Sequence, residues 1–179
     1  MEPTLVYLFG APASGKSTLM AELTKACERS PVPGSVPHEL LFREGRPVGV
    51  ELGKRRDSFS GTDALSLSIH PKAVSWVGTR PYVLILGEGA RLATAGFLGA
   101  AEAAGYRVFP VYLDASEEVL AERRAQRGSQ QDASWAKGAG TRALNLAQRL
   151  GAMGISTEFP AEEVAARVRD RIPALGVLA

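Results

Sequence analysis

The sequence has a single cysteine, no long apolar run and almost no excess of either charge. Cys27 alone can close no intrachain disulfide and build no thiolate metal cluster, which excludes a disulfide scaffold or a cysteine-based metal domain. The longest apolar run, Tyr-Val-Leu-Ile-Leu-Gly from Tyr82, falls far short of the roughly 20 residues needed to cross a bilayer. Nothing near the N-terminus reads as a basic region followed by an apolar signal core, so the expectation is a soluble, cytoplasmic protein without a membrane partner. A net charge of +2 and a pI near 8.8 are too mild to argue for a nucleic-acid partner by themselves, because the distribution of charge decides that more than its sum. The 179 residues, 45% of them hydrophobic, suffice for one good core. With no internal repeat and no dividing linker, they predict a single domain over residues 1–179.

What is present is an alternation of apolar strands and helices. Residues 4–9, TLVYLF, read as a strand buried on both faces, and a helix is predicted from Ser17 to Arg29 before the prolines of SPVPGSVP. Two short strands, Leu40–Arg43 and Val48–Leu52, flank a Glu-Gly-Arg turn, and a brief helix covers PKAVSWVG. YVLILGEG is a second apolar strand, followed by the small-residue helix ARLATAGFLGAAEAAG. YRVFPVYLDA is a third strand, leading into an acidic-fronted helix that ends near Arg127. A polar stretch over 128–140, a helix from Thr141 to Leu150, a short strand and a last helix complete the pattern. It predicts an α/β fold of three layers, with a mostly parallel sheet covered on both faces.

Between the first strand and first helix stands GAPASGKST, which matches G-x-x-x-x-G-K-[ST] at Gly10, Gly15, Lys16 and Ser17. Such a loop wraps a diphosphate with backbone amides, using glycines where a β-carbon would collide and a helix N-terminus behind. Gly10, Ala11, Pro12, Ala13, Ser14, Gly15, Lys16, Ser17 and Thr18 are therefore the predicted nucleotide-binding residues. Lys16 would reach the outer phosphates of ATP or another NTP, and Ser17 would ligate Mg2+. A P-loop alone does not separate a kinase from a GTPase or an ATP-driven motor. The Asn-Lys-x-Asp element of GTPases is missing, as are the second Asp-Glu strand end and helical lid domain of oligomeric ATPases. From Leu120 to Gly151 there is instead an excess of four positive charges. This basic lid, about 123–142, suits the charge developing on a transferred phosphoryl group. Arg123 and Arg127, four apart, could share a helix face toward the phosphates or simply be solvated; for Arg149 the solvated face is the reading.

On GAPASGKST, the arginine-bearing lid and ISTEFPAEEVAARV, the chain resembles the small P-loop kinases that include adenylate, gluconate and nucleotide kinases. The resemblance implies a P-loop NTPase fold, with residues around Phe159 and Pro160 bordering the base. Ala13 stands where this family commonly has glycine, and no Asp-Gly-Phe-Pro-Arg element is present, which argues against adenylate kinase activity itself.

The second apolar strand ends in LGEGARL, which puts Glu88 at the sheet edge where ligands of open parallel sheets bind. It could hold Mg2+ through water, take a proton from the acceptor, or cap the next helix. Arg91 is a candidate for an anionic acceptor group or for a surface ion pair. The loop LGKRRDSFSGTDALSLSIHP falls within the acceptor-binding region, about 39–80: Lys54, Arg55 and Arg56 could meet anionic groups, and Ser58, Ser60 and Thr62 polar ones. Asp63, in preference to Asp57, could accept the hydroxyl proton, with a helix N-cap as the alternative role. FSGTDALSLS, GEGARLA and the lid with its Trp also look like phage-encoded kinases of 5-hydroxymethyluracil in DNA. That resemblance implies the host cytoplasm, DNA as a partner, and Phe59 or Trp135 as stacking surfaces. A kinase of a free nucleotide or metabolite, and an NTPase that phosphorylates nothing, are the competing readings. Trp76 reads as a core residue, and the oligomeric state is not legible.

Overall fold

A computed structural model describes residues 2–55, 60–128 and 132–179. Seven strands form one sheet in the order β2-β3-β4-β5-β1-β6-β7: β1 (Thr4–Gly10), β2 (Glu28–Val32), β3 (His38–Arg43), β4 (Arg46–Leu52), β5 (Leu84–Glu88), β6 (Arg107–Asp114) and β7 (Met153–Ser156). The five strands from β4 to β7 run parallel, and the β2–β3–β4 end is antiparallel. Helices α1 (Lys16–Leu23) and α6 (Ala161–Arg171) cover one face. On the other lie α2 (Ile69–Gly78), α3 (Ala95–Ala103) and α5 (Ala133–Leu150), while α4 (Glu117–Gln126) leads from β6 toward α5. β1 shows why the sheet sits in the middle: Leu5, Tyr7 and Phe9 enter one core while Val6 and Leu8 enter the other, so the strand is apolar throughout.

Three elements differ from the sequence reading. The first helix stops at Leu23 rather than Arg29, and Glu28–Val32 is an edge strand carrying Pro31. An edge is where a missing N–H is tolerated, so this proline does not break the sheet. Arg29 fastens that edge, pairing with Glu39 at 2.8 Å and with buried Glu51 at 2.7 Å. The third helix starts at Ala95, not Ala90, because Thr94 caps it by accepting from the Phe97 N–H. The lid is more helical than expected, α5 running from Ala133 through Gly138 and Gly140 to Leu150. Glycine disfavours a helix by about 1 kcal/mol. At Gly140 a β-carbon would stand 3.4 Å from the Ala11 methyl, which shows that α5 lies directly against the phosphate loop. No helix among the described residues is long and apolar enough to cross a membrane.

Candidate active site

The loop between β1 and α1 begins under steric compulsion. A β-carbon on Gly10 would stand 2.4 Å from the Leu113 carbonyl oxygen of β6, so the neighbouring strand admits only glycine there. Ala13 adopts φ 67°, in the left-handed region that an L side chain resists by roughly 1–2 kcal/mol. Ala13→Gly is therefore expected to stabilise the protein by about 0.5–1 kcal/mol in chemical denaturation, after the extra freedom of glycine in the unfolded chain is subtracted.

Lys16 folds its ammonium into the loop, donating to the carbonyl oxygens of Gly10 at 3.2 Å and Ala11 at 2.9 Å, and to Ser14 Oγ at 3.4 Å. Burial lowers its pKa, against the opposing pull of Glu88 and Asp63. Ser17 Oγ donates to Glu88 Oε1 at 2.8 Å. Glu88 ends β5 beside Leu8 of β1 and is only 2% exposed. Burial pushes its carboxyl up to about 7, although the Ser17 hydrogen bond and the Lys16 charge draw it down.

That elevation has a thermodynamic consequence. The folded protein holds this proton more tightly than the unfolded chain, whose glutamate titrates near 4.5. Stability therefore falls as pH rises from about 4.5 to about 7 and is not reduced further above that, a loss on the order of 3 kcal/mol. Glu88→Gln should abolish this slope, melting higher than the parent at pH 8 and near it at pH 5 in paired thermal scans.

Asp63 lies in the 3-10 turn Thr62–Ala64, whose N-cap is Gly61, so it is not the helix N-cap considered from sequence. Its Oδ1 accepts the backbone N–H groups of Ala90 at 2.9 Å and Arg91 at 3.0 Å, pinning the loop that follows β5. Glycines make this approach possible: a β-carbon on Gly61 would meet the Glu88 carboxyl at 2.6 Å, and one on Gly89 the Asp63 carboxyl at 2.9 Å.

Two cavities flank the P-loop. The first, about 300 Å³, is lined by Gly15, Thr18, Arg123, Arg127, Thr157 and Phe159. Arg123 is fastened there by donating to Thr157 Oγ1 at 3.1 Å and to the Thr157 carbonyl at 2.6 Å. The Arg167 guanidinium sits 3.9 Å over the Phe159 ring, and Pro160 caps the start of α6. The second cavity, about 430 Å³, joins Pro12, Ala13, Lys16 and Asp63 to Trp135 and Arg142 of α5. Arg127 lines both cavities.

The structure thus gathers Lys16, Ser17, Glu88, Asp63, Arg123 and Arg127 around one loop, and Trp135 with them. Others go elsewhere. Thr62 is fully buried, its hydroxyl engaged by the Glu88 carbonyl at 2.8 Å and the Tyr7 hydroxyl at 2.7 Å, which removes it from the acceptor-contacting set. Arg55 lines a separate cleft of about 610 Å³ with Lys54, Pro31 and His38 rather than the cavity of Asp63. Ser60 directs its hydroxyl back to the Lys54 carbonyl at 3.5 Å, and Arg91 donates to the Asp63 carbonyl at 3.3 Å. Arg56, Asp57, Ser58 and Phe59 lie outside the described residues. Trp76 packs against the core in contact with His38 and Tyr82, as expected. Arg142 and Thr157 were not among the residues expected at the site; the signal for Arg142 was its place in the basic lid.

A parallel sheet with a phosphate loop after its central strand, an arginine-bearing helical lid above it and an acid ending the neighbouring strand define a P-loop phosphotransferase. The chain belongs to the family described as P-loop Nucleotide Kinase3, whose model matches residues 1–168. It is thus a nucleotide-dependent kinase. Among solved structures it is similar in fold to a gluconokinase from Sinorhizobium meliloti 1021, with 19% identity and a TM-score of 0.52 over 99% of this chain and 94% of that one. No curated protein gives a match.

Proposed function

We propose that the enzyme transfers the γ-phosphoryl of ATP to a hydroxyl of a nucleoside-like acceptor seated in the 430 Å³ cavity, with 5-hydroxymethyluracil in DNA as the particular acceptor. The observation that carries the reading is the convergence of Lys16, Asp63 and Arg127 on that cavity while Arg127 also lines the one beside Phe159. The nucleotide would occupy the Phe159 side, its phosphates wrapped by Gly10 to Thr18. Lys16, Arg123 and Arg127 would balance the charge of the transferring group. Ser17 and Glu88 offer hard oxygen donors of the kind Mg2+ takes, alongside nucleotide phosphates. When bound, the ion would neutralise phosphate charge.

In the reaction the acceptor oxygen bonds to the γ-phosphorus as the bond to the nucleoside diphosphate breaks, and the hydroxyl proton passes to Asp63. With Oδ1 held by two amides, Oδ2 is the oxygen that no donor engages among the described residues. Besides Asp63 and the cations Lys16, Arg127 and Arg142, the wall consists of Gly10, Pro12, Phe9, Trp135, Leu146 and five alanines, Ala13, Ala90, Ala93, Ala139 and Ala143. The aromatic and alanine part of that wall suits a flat ring, and its cations suit an acceptor that carries phosphate, which supports a base-bearing acceptor. Lys54 and Arg55, in their separate cleft, would meet a flanking phosphate of a polymer rather than the reacting unit.

The test is incubation with γ-labelled ATP and separate pools of hydroxymethylated DNA, unmodified DNA, nucleosides, nucleotides and sugar acids. Label in hydroxymethylated DNA alone is the expected result. Label in free nucleotide or a sugar acid but not in DNA would reject the DNA acceptor, and label only in inorganic phosphate would reject transfer to these acceptors.

A further inference from the structure

The sheet and the acceptor loop meet at a buried hydroxyl pair that the chemistry above does not use. Thr62 has no exposed surface, and its Oγ1 donates to the backbone oxygen of Glu88 at 2.8 Å. The same atom lies 2.7 Å from the Tyr7 hydroxyl, which is equally buried in β1, three residues before the P-loop. With the threonine proton committed to Glu88, the phenol is the donor to Thr62.

The Tyr7 ring cannot drift. It packs edge-on against Phe97, with centroids 6.1 Å apart, and lies where a β-carbon on Gly87 would come within 2.6 Å of it. One residue beyond Thr62, Asp63 takes the amides of Ala90 and Arg91; one residue beyond Gly87, Glu88 takes the Ser17 hydroxyl. The chain Tyr7–Thr62–Glu88 therefore ties together three segments, each of which carries a group of the site: the P-loop strand, the Asp63 turn and the strand end bearing Glu88.

We propose that Thr62 and Tyr7 are positioning residues that fix the acceptor-side acid, Asp63, relative to the P-loop-side acid, Glu88. This rests on the proposed role of Asp63. Hydrogen-bonded groups of this kind matter to rate because a displacement of about 1 Å in a reacting group can cost on the order of 100-fold. The bridge holds Asp63 through its neighbour, while the amides hold it through its own carboxylate; without the bridge, the turn keeps the amides, the Arg91 bond to the Asp63 carbonyl and the Lys54–Gly61 backbone pair, none of which ties it to β1.

The discriminating pair is Thr62→Val, which keeps the shape and removes the hydroxyl, and Thr62→Ser, which keeps the hydroxyl. Both are assayed with γ-labelled ATP and hydroxymethylated DNA at a temperature where circular dichroism shows each variant folded. Thr62→Val is expected to lower kcat at least 10-fold with the KM for ATP within about 2-fold of the parent, and Thr62→Ser to restore most of the loss. Hydrogen exchange provides an acceptor-independent arm: the Ala90 and Arg91 amides should lose protection in Thr62→Val and keep it in Thr62→Ser. An unchanged kcat in Thr62→Val, or equal losses in both variants, would overturn the proposal, as would unchanged exchange. If Asp63→Asn turns over normally, the Asp63 reading fails instead, and the exchange arm still reports whether the bridge holds the turn.

Discussion

Lys16→Ala is expected to lower phosphoryl transfer by about 10²–10³-fold, the range seen when one preorganised charge or donor is taken from a developing oxyanion. The side chain already lies inside the loop, its ammonium held by the Gly10 and Ala11 carbonyls and Ser14 Oγ. Transfer develops negative charge on the outer phosphates, and phosphate oxygens bound in the loop would take over hydrogen bonds that the ammonium now gives to the loop itself. Burial costs this ammonium some of its basicity, and Glu88 and Asp63 offset part of that loss. Removing it also takes a favourable charge from beside Glu88, so thermal stability should fall at pH 8, where Glu88 is ionised, more than at pH 5. Steady-state transfer and a pair of melts check both expectations; near-normal turnover would mean that the loop is not holding the transferring group.

Asp63→Asn is the second large effect, a loss of about 10²–10⁴-fold in transfer, which is the span of general base catalysis. The amide is close to the carboxylate in shape, and its oxygen can continue to accept from the Ala90 and Arg91 N–H groups. The turn and the loop after β5 should therefore keep their places while the proton acceptor disappears. The signature is a fall in kcat with ATP affinity and melting temperature nearly unchanged. Equal losses in ATP affinity or folding would mark Asp63 as a structural clasp for the loop after β5.

Much of the fold was legible because its signals are local. The P-loop, the apolar strands of β1, β5 and β6, and the acidic start of α4 each announce themselves within ten residues or so of sequence. What was misread depended on partners far along the chain. Pro31 looked like a helix stop, and only its pairing opposite Glu39 makes it an edge-strand residue. Gly138 and Gly140 looked like loop residues, yet α5 runs straight through them, and Gly140 packs against Ala11 of the phosphate loop, far earlier in the chain. Thr62 stood in a run of hydroxyls that looked open to a ligand, and its burial is decided by Tyr7, 55 positions away. The bond between Ser17 and Glu88 spans 71 positions, so each residue could be suspected from its own motif but their meeting could not be read.

The position of Arg127 has one more consequence. A single guanidinium borders both chambers, so whatever enters one changes the field felt in the other. On the proposed reading, the nucleotide and the acceptor then hold a common counter-ion, and any preference it gives one for the presence of the other must be returned in equal measure. The enzyme would sense its second substrate through the first, and ATP standing alone would lack the full arrangement that makes its last phosphate labile. Such sharing offers a way to spare ATP from water until there is something to phosphorylate.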